Sequence, residues 1–257
     1  MKETFADLKD GVVLAELGGY GDGPYCAKHG MGAALVMMGT YIVDEGTKVP
    51  YPPQFVFKPD KAVYLPYLRQ HVAEARAGGA RVGVSVISVE LSHSMEFLAA
   101  VQEAGADYAS ICAHSSMEMF ARAGVDQAHF VRRGSPALAR WARAARDAVS
   151  IPVIFKIGQR GPEDTLAAVE TLAKLGIPVV HINVGAGAPG SEGLQTIGRL
   201  RGVCACLIAG GGIGDAKDAR RFIQAGADAV AIGRAAMRDP ALCGRIQQAL
   251  REKVEKP

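Results

Sequence analysis

The sequence predicts an α/β fold, a (β/α)8 TIM barrel, and three observations carry that reading. Eight short apolar or β-branched runs recur along the 257 residues, and amphipathic stretches of helical length separate them. The phrase Ala-Gly-Ala-Asp stands twice at the joint before a run, at Ala104–Asp107 and at Ala225–Asp228. Alternating strand and helix signals build parallel sheets, and eight such units in about 250 residues close into a barrel. The expected organisation is a single domain over 1–257.

The runs are Val12–Leu17, Ala34–Met38, Val82–Ile87, Tyr108–Cys112, Val153–Ile157, Val179–Val184, Cys206–Ala209 and Ala229–Ile232. Five of the seven intervals between their starts measure 22 to 27 residues, enough for one strand, one helix and two short loops. The two longer intervals, 48 and 45 residues, hold insertions after the second and fourth runs, Thr40–Asp60 and Ala113–Arg133. Helix punctuation agrees with this division. Pro162-Glu163-Asp164 opens a helix that Gly176 closes, with acids in its first turn. Asp215 is placed to cap a helix through Ala219 and Phe222 that Gly226 stops. A last helix is predicted over about 239–255. An open doubly wound sheet would have fewer strands and a GxGxxG turn after the first. Gly18-Gly19-Tyr20-Gly21-Asp22-Gly23 is glycine-rich but lacks that spacing.

Composition narrows the function. Hydrophobic residues make up 49% and charged residues 21%, as in ordinary soluble proteins, and a net charge of +3 does not call for a nucleic-acid partner. Acidic residues within Met1–Asp7 argue against a signal peptide, and the apolar run Ala33–Met38 is far too short to span a membrane. Five cysteines, an odd number without a CxxC pair, read as reduced thiols in a cytoplasmic protein and not as a metal site. The segment Tyr51–Phe57 is rich in aromatics and proline, suited to a hairpin or lid over the barrel mouth or to a homo-oligomer contact.

Barrel enzymes work at the C-terminal ends of their strands. The last two runs end in Ala209-Gly210-Gly211-Gly212-Ile213-Gly214-Asp215 and Ile232-Gly233-Arg234-Ala235. Bare glycine backbone lets N–H groups approach a phosphate, and Arg234 can close on it with a charge-assisted hydrogen bond. The fifth run, Val153-Ile154-Phe155-Lys156-Ile157, carries a lysine that is costly to bury unpaired. Lys156 therefore faces the mouth, to hydrogen-bond an anionic ring, form a Schiff base, or pair with a carboxylate. In the sixth run, period two puts His181 and Asn183 on one face among valines and isoleucine.

In their order these motifs resemble the FMN-dependent barrels of the tRNA-dihydrouridine synthase and dihydroorotate dehydrogenase group. The resemblance runs from Leu14 to about Pro240. Leu14-Ala15-Glu16-Leu17-Gly18-Gly19-Tyr20-Gly21-Asp22 stands where that group has an Ala-Pro-Met strand end and a turn closing in Asp. Pro152–Ile157, Val180-His181, Ala209–Ile213 and Ile232–Arg234 resemble its later segments, and Gly134–Leu138 occupies the place of another. The resemblance implies that Lys156 hydrogen-bonds the pyrimidine side of the flavin and that His181 touches flavin or substrate. It also implies that Gly211, Gly212, Gly233 and Arg234 hold the FMN phosphate.

The departures are specific. The group's strand-4 asparagine and its proton-donating cysteine are replaced within Ile111-Cys112-Ala113-His114-Ser115-Ser116. Cys112 takes the asparagine-like place and Ser115 stands near the cysteine-like one, where it serves as acid or base only if His114 or a bound water activates it. The alternative is that this loop has lost the group's chemistry. Glu16-Leu17 replaces the Pro-Met contact, and Ser85 stands where a glutamine is expected. A buried Glu16 beside a reduced flavin is repulsive unless paired or protonated.

The resulting expectation is an FMN-dependent oxidoreductase for a small or heterocyclic substrate, with NADPH or NADH as reductant. The alternatives are a cofactor-free phosphosugar aldolase or isomerase using Lys156, and a non-catalytic flavin- or nucleotide-binding barrel. The group's tRNA-modifying members carry a helical RNA-binding domain beyond the barrel. Here Arg132-Arg133 and the basic stretch Arg245–Lys256 read as solvated surface, so tRNA is not the expected partner.

Overall fold

The computed structural model describes residues 5–46, 49–185 and 190–252. Its strands are β1 (Gly11–Leu14), β2 (Leu35–Val43), β3 (Val56–Phe57), β4 (Arg81–Ile87), β5 (Tyr108–Ala113), β6 (Val153–Gly158), β7 (Val179–Asn183), β8 (Cys206–Gly210) and β9 (Ala229–Ile232). All named pairings are parallel, in the order β1-β9-β8-β7-β6-β5-β4-β2, and β1 pairs β2 to close the barrel. Helices follow the strands: α1 (Gly23–His29), α2 (Lys61–Arg76), α3 (Leu91–Glu103), α4 (Glu118–Arg122), α5 (Gln127–Phe130), α6 (Pro136–Ala148), α7 (Pro162–Lys174), α8 (Ser191–Leu200), α9 (Ala216–Ala225), α10 (Arg234–Arg238) and α11 (Leu242–Arg251). The architecture is the (β/α)8 barrel, with β3 added.

Alternation along the strands sorts the core into two layers. Val13, Leu35, Met37, Ile154, Val179, Ile208 and Ala231 fill the base of the lumen. Their sequence neighbours, such as Val12, Phe155, Val180 and Val230, pack outward against the helices. Because both faces are covered, the strands read as mostly apolar runs, interrupted by the lumen-facing Ser85, Ser110, Lys156 and His181.

The repeated joint has a physical cause. Gly105 (φ +84°) and Gly226 (φ +128°) take the left-handed turn that ends α3 and α9. The aspartate two residues later accepts the backbone N–H of the neighbouring strand: Asp107 from Val82 at 2.8 Å and Asp228 from Leu207 at 2.9 Å. Asp215 caps α9 by accepting from Asp218 N, and Ser135 caps α6 by accepting from Leu138 N.

Several boundaries differ from expectation, among them the end of β1, at Leu14 and not Leu17. β2 does not stop at Met38. Its register shifts between Met38 and Tyr41, and the strand resumes as Tyr41-Ile42-Val43 against β4. The Tyr51–Phe57 segment is not a hairpin. A 3-10 turn, Pro53–Phe55, leads into β3, which pairs in parallel with Ile42 and Val43. Phe55 and Phe57 then pack on Tyr41, with ring centroids 5.2 and 5.7 Å away, so the insertion extends the core. The last helix starts at Leu242, after Asp239 has accepted the N–H of Ala241 in the preceding turn. Its predicted end, 253–255, lies outside the described residues, as do Met1–Thr4.

Among the described residues no helix is long and apolar enough to cross a membrane, and no group of His, Cys, Asp or Glu could hold a metal ion. All five cysteines are free thiols.

Candidate active site

A pocket of about 290 Å³ opens at the C-terminal ends of β1, β6, β7, β8 and β9. Its rim is glycine: Gly210 at the end of β8, Gly211, Gly212 and Gly214 after it, Gly233 after β9, and Gly185 after β7. Gly211 (φ +135°) and Gly212 (φ +70°) adopt backbone conformations that L side chains rarely take. A Cβ on Gly211 would fall inside contact distance of the Gly185 carbonyl oxygen, so the two loops touch backbone to backbone. Among the described residues, the N–H groups of Gly211, Gly212, Gly233 and Arg234 donate to no acceptor in the chain. Arg234 is exposed at the same rim. Unpaired backbone donors beside a guanidinium form an anion-binding surface.

The inner end of the pocket is built by period two. Lys156 and His181 are register partners on β6 and β7, and both point into the lumen beside Asn183. Glu16, two residues past β1, reaches across to meet them. Its Oε2 lies 3.2 Å from Lys156 Nζ and 3.7 Å from His181 Nδ1. The Glu16 side chain is 1% exposed and that of Lys156 10%. Distance makes this an ion pair, yet neither Glu16 oxygen accepts a hydrogen bond of good geometry among the described residues. Burial first, and then the Lys156 ammonium, push the His181 imidazole far below its ordinary value, so it is neutral. The lumen face of β5 adds Ser110 and Cys112. The Cys112 thiol is pushed up by burial, which keeps it protonated.

Six of the residues picked from the sequence therefore line one cavity: Lys156, His181, Gly211, Gly212, Gly233 and Arg234. Ser115 and His114 are not among its lining residues. Ser115 Oγ accepts the Met117 N–H at 3.2 Å, and its carbonyl accepts from Gln127 N, which ties the loop to α5. His114 packs where a Cβ on Gly158 would stand. Burial, and then Lys156, bring its imidazole down to about 4. Asn183 stood out on the face of His181. Gly185, by contrast, carried no signal of its own, because its place opposite Gly211 depends on how two loops meet.

Residues 133–257 match the model of the dihydrouridine synthase family. This part of the chain carries Lys156, His181 and the rim glycines. Among solved structures, the chain is similar to dihydroorotate dehydrogenase from Eimeria tenella in complex with ferulenol. The TM-score is 0.71 at 17% identity, over 93% of this chain and 80% of that one. It is also similar to a mutant of morphinone reductase in complex with tetrahydroNAD, with TM-score 0.69 and 14% identity over 93% and 87% of the two chains. At these identities the likeness is one of fold. A geranylgeranylglyceryl phosphate synthase from Methanopyrus kandleri is 37% identical over 78 residues, a match spanning 30% of this chain and 33% of that protein. The resemblance read from the sequence thus holds: a (β/α)8 barrel whose residues 133–257 carry the dihydrouridine synthase pattern, folded like dihydroorotate dehydrogenase and morphinone reductase.

Proposed function

We propose that the protein is an FMN-dependent oxidoreductase acting on a small or heterocyclic substrate. One observation carries the reading: a single cavity joins four backbone N–H groups, without an acceptor among the described residues, and Arg234 at one end to the Lys156–Glu16–His181 group at the other. The rim suits the phosphate of FMN, and Lys156 suits hydrogen bonding to the ring that the phosphate anchors. The family match over residues 133–257 supports the same reading. Bound FMN would supply hydride transfer, with NADPH or NADH as the source of electrons, while the protein fixes position and electrostatics.

The chain's own residues divide the work. Gly211, Gly212, Gly233 and Arg234 bind the anion, Lys156 donates to the ring, and neutral His181 offers one donor and one acceptor beside it. Ser115 and His114 are the candidates for moving a proton. Ser115 Oγ accepts from Met117 N and so keeps its own hydrogen to give. A Schiff-base role fits Lys156 less well, because Glu16 engages its nitrogen in an ion pair that suits donation better than attack.

Purified protein is tested by its visible spectrum and by titration with FMN. Yellow protein, or quenching of added FMN with a rise in melting temperature, is the expected result. Colourless protein with neither response defeats the proposal.

A further inference from the structure

Glu16 is the only carboxylate among the described residues lining the pocket, and it is buried at the end meant for a ring. A nearly buried carboxylate that accepts no hydrogen bond of good geometry is costly, and replacing a buried ion pair with apolar residues is often stabilising. Stability alone therefore does not account for Glu16. Its effect is electrical. Glu16 cancels the charge of Lys156, while His181 and His114 are neutral, so the inner end carries no net charge. Arg234 lies at the rim, makes no ion pair among the described residues, and leaves that end cationic.

We propose that Glu16 determines specificity by neutralising Lys156. The pocket then takes a phosphate-bearing ligand whose distal part is uncharged, and turns away one carrying a second anion at that end. This rests on the phosphate anchoring proposed above. A distal carboxylate that reaches the inner end would meet the nearly buried Glu16, where burial weakens screening and like charges repel. Without Glu16 the same position would face an uncompensated ammonium and attract that carboxylate. An oxidised flavin ring, which is uncharged, meets the requirement, as does a reduced ring in its protonated, neutral form.

The test uses two small probes that share a phosphate and differ in distal charge, glycerol 1-phosphate and 3-phosphoglycerate, titrated calorimetrically at neutral pH. Wild-type protein is expected to bind glycerol 1-phosphate at least tenfold more tightly. Glu16→Gln should shrink that ratio tenfold or more, and Lys156→Met should widen it. The double variant, neutral again, should return toward the wild-type ratio. If one single variant does not fold, the other single and the double variant decide. A ratio unchanged by Glu16→Gln, or wild-type protein that binds both probes equally, overturns the proposal, as does failure to bind either probe. Colourless protein that still discriminates between the probes rejects the flavin reading and keeps this one.

Discussion

Lys156 Nζ lies 3.2 Å from Glu16 Oε2, and the strands that carry the two are not neighbours. The pair spans the lumen from the end of β1 to β6. Removing one partner leaves the other nearly buried and without its counter-charge. Lys156→Met is therefore expected to destabilise the fold by about 3–5 kcal/mol, the usual cost of an orphaned buried charge. Adding Glu16→Gln should recover most of that loss. Urea unfolding of the two single variants and the double variant measures the coupling.

The rim glycines differ in what a methyl group would meet. Gly211→Ala combines a left-handed backbone with a clash against Gly185, whereas Gly105→Ala also has a positive φ but open space around it. Gly105→Ala is expected to cost about 1–2 kcal/mol. Gly211→Ala should cost roughly 1–3 kcal/mol more, as overpacking does. Only Gly211→Ala should also weaken phosphate or FMN binding, read by calorimetry beside the melting curves.

Stability should fall as pH drops from about 6.5 to about 4. The His114 imidazole is held down to about 4 by burial and then by Lys156, against an ordinary value of 6.5. Between those values the unfolded chain takes up a proton that the folded chain refuses, so acid favours unfolding. For a partly buried ring the loss is on the order of 2 kcal/mol. His181 is shifted in the same direction and adds to the slope. His114→Asn should flatten the pH dependence in part, as measured by denaturation at pH 7 and pH 5.

If Ser115 gives the proton, Ser115→Ala should lower turnover by about 10²–10⁴-fold, the range for general acid catalysis. FMN affinity should stay unchanged, because Ser115 does not line the pocket. Single-turnover oxidation of the reduced protein separates the two effects. An unchanged rate would remove Ser115 from the reaction.

The barrel was legible because the strands are buried on both faces and several are bounded by glycine or aspartate turns. Ala229–Ile232 agrees in both limits, and Tyr108, Val153, Val179 and Cys206 agree as strand starts. The rim was legible too, because its glycines lie at strand ends that the fold brings together. β2 was read too short because Gly39-Thr40 resembles a turn, while only tertiary packing shows Tyr41 completing an aromatic cluster. The Glu16–Lys156 contact joins positions 140 residues apart. Each group had a reason to seek a partner, but no local pattern could name the other. β3 is two residues long and owes its pairing to β2, so it left no periodic signal.

The central claim is that the glycine rim and Arg234 grip a phosphoryl group while Lys156 meets what it anchors. Comparing the affinities of FMN and riboflavin tests it most directly, since the two differ only in the phosphate. FMN is expected to bind at least about a hundredfold more tightly, equivalent to about 2.7 kcal/mol, and Arg234→Ala should erase much of the difference. Equal affinities, or a preference untouched by Arg234→Ala and Gly211→Ala alike, would contradict the account.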